Sequence, residues 1–191
     1  MDDNYLLERI RHNDKNAFKE IVLKYQTLVI NTCYSFLHNQ NDAEDVAQEV
    51  FIEVYRSIKN FRQESKLSTW LYRISVNKSL NYLRDNKKNS WFQSLDLLFE
   101  KEKAVANNLI ENENPGEIIE KDEHADTIYS AIDSLPDNQK TSFNLHKLEN
   151  LSYKEIAEIM DISLSSVESL IFRAKKNLQK KLISYYKKNM Y

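Results

Sequence analysis

With 191 residues, one Gly and two Pro, the chain is long enough for two small domains but poor in tight-turn residues, so an all-α fold is expected. No apolar run is long enough to span a bilayer, the start Met1-Asp2-Asp3-Asn4 is acidic rather than signal-like, and the single Cys33 offers neither an internal disulfide nor a zinc spacing. The net charge of −2 is uneven: residues 1–60 hold 7 basic and 10 acidic side chains (−3), 61–90 hold 7 and 2 (+5), 91–135 hold 3 and 11 (−8), and 136–191 hold 10 and 6 (+4).

A cytoplasmic, reduced, cofactor-free and metal-free protein is the expectation. Two basic blocks around an acidic one suggest two regions that meet phosphate, joined by a segment that avoids it. Solvated helix faces of mixed sign would give the same totals.

Apolar residues at 17, 18, 21, 22, 25, 28, 29, 32, 33 and 36 keep a 3–4 spacing and predict one long amphipathic helix from Ala17 to Phe36, with Cys33 on its buried stripe. Asn41-Asp42 can open the next helix, whose apolar face is Ala43, Val46, Ala47, Val50, Phe51, Val54 and Ile58. Asp45, Gln48, Glu49, Ile52, Glu53 and Arg56 fall mostly on its other side. After a polar, extended stretch from Asn60 to Lys66, a third helix is predicted from about Leu67 to Arg84.

Along that third helix Trp70, Arg73, Asn77, Asn81 and Arg84 form one stripe of cations, amides and an aromatic ring. Single-stranded DNA binding needs this mixture, because bases stack and phosphates need neutralising. Ser65, Lys66, Ser68 and Thr69 could cap the helix and line a pocket for an unstacked base. Trp70 fits a core position equally well.

From Asp85 to about Asp122 the periodicity fails, and Pro115-Gly116 punctuates the segment, which reads as a linker. Within it Trp91, Phe92, Leu95, Leu97, Leu98 and Phe99 form an apolar cluster, a short docking helix or a partner contact. Periodicity returns at Ile128, Ala131, Ile132 and Leu135, and Pro136 starts another helix carrying Phe143, Leu145 and Leu148.

The most specific pattern lies between Leu151 and Leu182. Ser152-Tyr153-Lys154-Glu155 fits a capping box that opens a helix with Ile156, Ala157 and Met160. A turn at Asp161-Ile162-Ser163 follows, in which Asp161 can take the left-handed conformation that Gly usually supplies. The second helix then carries Val167, Leu170, Ile171 and Ala174 inward. Small Ala157 at the crossing and Val167 ten residues later are the spacing of a DNA-binding helix-turn-helix. Ser165, Glu168, Ser169, Phe172 and Arg173 face away from the apolar stripe. Arg173 can read guanine or hold phosphate, Phe172 can meet a thymine methyl, and Lys175, Lys176, Lys180 and Lys181 continue the positive surface. An ordinary helical hairpin with a solvated lysine face is the plainer alternative.

Three stretches carry a family resemblance. Asp42 to Phe51 (DAEDVAQEVF), then Ser68 to Ile74 (STWLYRI) with Asn77, resemble the second conserved region of extracytoplasmic-function sigma factors. Leu151 to Ala157 (LSYKEIA) and Ser166 to Ser169 (SVES), running into Phe172-Arg173-Ala174, resemble their fourth region. Order and separation match over roughly residues 10–88 and 126–183.

The resemblance implies a sigma region 2 domain over 1–88, an acidic linker over 89–125 and a sigma region 4 domain over 126–191. Asp45, Gln48, Glu49, Ile52 and Arg56 would bind core RNA polymerase. Arg62, Lys66, Ser68, Thr69, Trp70, Arg73, Asn77, Asn81 and Arg84 would capture and open the −10 promoter element. Ser165, Ser166, Glu168, Ser169, Phe172, Arg173 and Lys176 would read the −35 element as duplex. The linker would thread near the polymerase's RNA channel. Promoter DNA, core polymerase and an anti-sigma protein are the implied partners.

The chain departs from the pattern at Glu168, where members often have Lys or Arg, and in an apolar linker cluster without a counterpart. The absence of an N-terminal inhibitory region and of a third domain argues against a housekeeping sigma factor. An enzyme is disfavoured: His12, His38, His124 and His146 are scattered, and one Gly cannot build a phosphate loop. A one-component helix-turn-helix regulator is the remaining alternative; it would bind operator DNA unaided.

Overall fold

The structure, a computed structural model, describes residues 2–101 and 123–189. Among them are eight α-helices in two units. The first holds α1 (Asp3–Arg11), α2 (Lys15–Leu37), α3 (Gln40–Ser57) and α4 (Leu67–Lys101), with a single 3-10 turn at Ile58–Asn60. The second holds α5 (Glu123–Asp133), α6 (Asp137–Lys147), α7 (Tyr153–Met160) and α8 (Leu164–Asn189). None of the helices searched among the described residues is long and apolar enough to cross a membrane.

Three helices of the first unit, α1 to α3, start where a short polar side chain can take an orphan amide. Asp2 accepts from the Asn4 amide, Asp14 from Asn16 (2.9 Å), and Asn39 from Asp42 (3.1 Å). The third cap lies two residues before the Asn41-Asp42 expected from the sequence, because His38 ends α2 in the left-handed region (φ 53°) and Asn39 is already extended. Helix α1 is an addition to the expected elements; it lays Leu6, Leu7 and Ile10 on α2.

Ala17, Ile21, Val29 and Cys33 of α2 meet Ala43, Val46, Val50 and Val54 of α3 and Leu67 and Leu71 of α4 in one apolar core. Burial pushes the Cys33 thiol up to about 11, so it is an inert core group. Helix α4 continues past Arg84, where the fading periodicity predicts a linker, to Lys101. No Gly or Pro lies between Leu67 and Lys101, so nothing breaks the backbone ladder after the amphipathic pattern stops. The side chains of the Trp91–Phe99 cluster lie outside the described residues, as does most of the expected linker.

In the second unit Ala131, Ile132 and Leu135 pack on Ala174 and Leu178 of α8. Pro136 caps α6 rather than opening it as a first-turn residue. A third cluster joins the units: Phe36 of α2 and Val76 of α4 are buried with Leu145, Ile156, Ile159, Val167 and Ile171. Across the same seam the Asn144 amide donates to the Ser35 carbonyl at 2.6 Å, both residues being buried.

Candidate nucleic-acid interface

The helix-turn-helix forms as its local chemistry dictates. The Ser152 hydroxyl accepts from the Glu155 amide (3.3 Å), while the Glu155 carboxylate accepts from the Ser152 amide (2.9 Å). The Ser152 hydroxyl's own bond to that carboxylate (2.7 Å) and the bond from the Ser152 amide, with a smaller share from the nearby charge of Lys66, hold the Glu155 carboxyl below its usual range. Asp161 takes the left-handed conformation (φ 55°, ψ 48°), and the Ile162 amide returns to the Ala157 carbonyl at 3.1 Å. Val167, Ile171 and Ala174 are buried.

That packing turns the opposite face of α8 outward. Ser165, Ser166, Glu168, Ser169, Phe172, Arg173 and Lys176 are all exposed. Phe172 is 67% exposed. Arg173 Nε donates to the Ser169 carbonyl at 3.2 Å, which leaves most of its guanidinium donors aimed at solvent. The Ser163 hydroxyl, 3.0 and 2.8 Å from those of Ser165 and Ser166, caps α8 by accepting from the Ser166 amide. A cleft of about 460 Å³ between α6 and α8 is bounded by Asn138, Met160, Ser166, Ser169 and Arg173.

The stripe on α4 is brought together less openly. Asn77, Asn81 and Arg84 are exposed, and Arg84 donates to the Asn81 amide oxygen. Trp70 is half-buried and stacks on Phe61 (centroids 4.9 Å apart, 30° between planes), so its ring belongs largely to the first core. Thr69 is buried, and Ser68 half-buried. Thr69 therefore sits below the surface rather than lining a pocket. Arg62 is exposed beside Glu64 at 4.0 Å, and Lys66 is exposed near Glu155. Arg73 is half-buried, its Nε donating to the Ile159 carbonyl at 3.0 Å and its Nη2 to the Glu158 carbonyl.

On α3, Asp45, Gln48, Glu49, Ile52 and Arg56 are exposed along one face, as the alternation predicts. Glu49 is partly engaged by Lys78 of α4 at 3.5 Å. Tyr55, 56% exposed beside Ile52 and edge-on to Phe18 at 5.0 Å, adds an aromatic to that face. Its three-residue offset from Ile52 is the signal that could have found it.

The chain is matched by the family model of sigma-70 region 2 over residues 21–89 and by that of sigma-70 region 4 over residues 125–178. It is 37% identical to the RNA polymerase sigma-H factor of Pseudomonas aeruginosa, covering 94% of this chain and 93% of that protein. It is 38% identical to the ECF RNA polymerase sigma-E factor of Haemophilus influenzae, covering 94% and 95%. The structure of CnrH in complex with the cytosolic domain of CnrY shares the fold at TM-score 0.66 and 19% identity, covering 95% of this chain and 97% of that one. The sigma factor RpoE of Bartonella quintana, solved with the anti-sigma factor NepR, shares it at TM-score 0.57 and 19% identity, covering 86% and 96%.

Proposed function

The chain belongs to the extracytoplasmic-function sigma factors of the sigma-70 family, which direct RNA polymerase to promoters, and from that premise we propose which of its residues do the work. Residues 1–88 act as region 2, 89–125 as an acidic linker and 126–191 as region 4. The exposed face of α3, with Asp45, Gln48, Glu49, Ile52 and Arg56, docks on core RNA polymerase, and Tyr55 extends it.

The stripe of α4, with Arg73, Asn77, Asn81 and Arg84 foremost and Arg62, Lys66 and Ser68 at its upstream end, captures the opened −10 strand. Trp70 and Thr69 support it from beneath, Trp70 through its stack on Phe61. Opening needs no covalent step, since unstacking a base costs a few kcal/mol and contacts to the flipped base and its phosphates offset that. The chain contributes no catalysis of its own.

The outer face of α8 reads the −35 duplex. Arg173 and Phe172 meet base edges, Ser165, Ser166, Ser169 and Lys176 hold backbone, and Glu168 accepts from a cytosine amino group. An anti-sigma protein is a further partner; the pairing of the Bartonella relative with NepR supports it.

One observation carries the reading. A single chain holds both a solvent-facing recognition helix and a second cationic helix with interleaved amides and an aromatic ring. Run-off transcription on fragmented genomic DNA, with bacterial core polymerase, tests it. Added protein should create start sites that share two motifs about one and three helical turns upstream. Unchanged transcripts, together with a DNA shift by the protein alone, would favour the one-component regulator instead.

A further inference from the structure

A further cationic cluster stands on the first unit, apart from the α4 stripe and from α8. The turn between α1 and α2 and the end of α3 enclose a cleft of about 340 Å³, at the small end of the range, roughly 300–1,000 Å³, in which proteins hold small molecules. Ile10 and Ile58, both buried, give it an apolar floor. One wall is aromatic: Phe18 meets Tyr55 edge-on at 5.0 Å, and Tyr55 stays 56% exposed. Lys15, Arg56 and Lys59 are exposed around the mouth.

The mouth carries a positive excess. Asp14 is the carboxylate among the lining residues, and it is already bound by Arg9 at 2.8 Å and by the Asn16 amide at 2.9 Å. The Arg9 bond, and after it the Asn16 amide, hold that carboxyl below its usual range, so it stays ionised and matched. Asn13, in the left-handed region at φ 65°, accepts from the Lys59 ammonium at 2.5 Å and fixes that cation at the rim. An exposed ring and cations around an apolar floor are what an unstacked base and its phosphates require. The cleft also adjoins the α4 stripe. Phe61, which ends the 3-10 turn carrying Ile58 and Lys59, stacks on Trp70, and its carbonyl accepts from Arg11 Nη2 at 3.3 Å.

We propose that this cleft holds a second unpaired base of the opened promoter strand, packed against the Phe18–Tyr55 pair, with Lys15 and Lys59 on its flanking phosphates. The strand is the one assigned to the α4 stripe, on whose reading as the −10 surface this site rests. Tyr55 and Arg56 border the face of α3 assigned to core polymerase, whereas Lys15 and Lys59 stand outside it. A base held here lengthens the captured strand and extends promoter recognition beyond the reach of α4.

Full-length wild type, Lys15→Ala with Lys59→Ala, and Asn77→Ala with Asn81→Ala are titrated against a labelled single-stranded DNA 12-mer of randomised sequence at several salt concentrations. All four positions are exposed, and circular dichroism checks that helix content is kept. The lysine pair should lower the slope of log affinity against log salt by about 1.4, about 0.7 for each of two phosphates. The asparagine pair should weaken binding and keep the slope, since it removes no cation. An unchanged slope for the lysine pair overturns the site. So does a wild type that binds no strand, because the cleft faces solvent in the free protein. A strand carrying 5-iododeoxyuridine should crosslink on irradiation to a peptide holding Phe18 or Tyr55, and crosslinks confined to α4 overturn the site as well. Weaker binding of the lysine pair to core polymerase, with DNA binding unchanged, would make the cleft a polymerase contact instead. Loss by the lysine pair with none by the asparagine pair would leave the cleft standing and remove the α4 reading.

Discussion

The two cationic helices of this sigma factor are presented in opposite ways. Helix α8 turns Phe172, Arg173 and Lys176 to solvent, and Arg173 bonds to a carbonyl of its own helix. Helix α4 turns part of its stripe toward the other unit, where Arg73 is engaged by two carbonyls of α7. On the proposed assignment, the difference follows from what each would meet. Duplex DNA can be read by a rigid, preformed surface, whereas an unpaired strand exists only after the polymerase has engaged the promoter.

The sharpest way to break this comparison is to remove one arginine from each helix. Arg73→Ala should abolish open-complex formation, by about a hundredfold or more, while binding to core survives, because it removes strand capture and not the α3 face. Equal loss of core binding would make Arg73 structural. Arg173→Ala should weaken initiation about 5- to 150-fold, the equivalent of about 1–3 kcal/mol for a base or phosphate contact, and only through the −35 element. Permanganate footprinting of the −10 region, on promoters with and without an intact −35 motif, distinguishes the two. Identical footprints for the two variants would erase the division of labour between α4 and α8.

Much of this division is legible in the sequence because it is local. The capping box at Ser152, the left-handed Asp161 and the buried Val167 and Ile171 are set by contacts within a few residues, so spacing alone predicts them. The outward face of α3 is legible for the same reason. Helix α1 escapes the pattern reading because its apolar signal is only Leu6, Leu7 and Ile10 behind an acidic start. The run of α4 to Lys101 escapes it because continued helix needs only the absence of a breaker, which leaves no periodic mark. The partner of Arg73 could not be read at all. A stripe at helical spacing says which residues share a face, and nothing in it says that a helix 86 residues away will lie on that face.

A smaller effect tests the seam between the two units through pH. Glu149 lies by the seam with Tyr34, Ser35 and His38, and its charge is felt by Cys33 and Tyr72. Burial raises its carboxyl from the ordinary 4.5 to about 6. A raised carboxyl favours the closed arrangement fully below 4.5 and loses that contribution as pH rises through about 6. Asp133 moves the other way. Burial alone would raise it, but His38 and Lys140 outweigh burial and hold it below its ordinary 3.8. Its contribution is therefore present above that value and lost only as pH falls beneath it. Between pH 6 and 4.5 the Glu149 effect is the one that changes, so scattering should show the protein more compact at pH 5 than at pH 7.5. Glu149→Gln should flatten the lower part of the profile, and a wild type that loosens on acidification would remove Glu149 from the closed seam.

The smallest expected effect concerns the other end of α7. Its N-terminus is capped by Ser152 from the adjacent residue, its C-terminus by Arg73 from the other unit. A local cap is kept whether the units are open or closed, and a remote one is lost on opening. Ser152→Ala should therefore cost about 1 kcal/mol of stability in both states, measured as a shift in the urea midpoint that is the same for the wild-type background and for His38→Gly, which lacks the ring stacked on Tyr129 across the seam. Arg73→Ala should shift the midpoint in the wild-type background and much less in the His38→Gly one, where its contact is already loosened. Equal shifts by Arg73→Ala in the two backgrounds would mean that α7 does not depend on Arg73 for its cap. The Glu158 and Ile159 carbonyls at the end of that helix would then be finished by water.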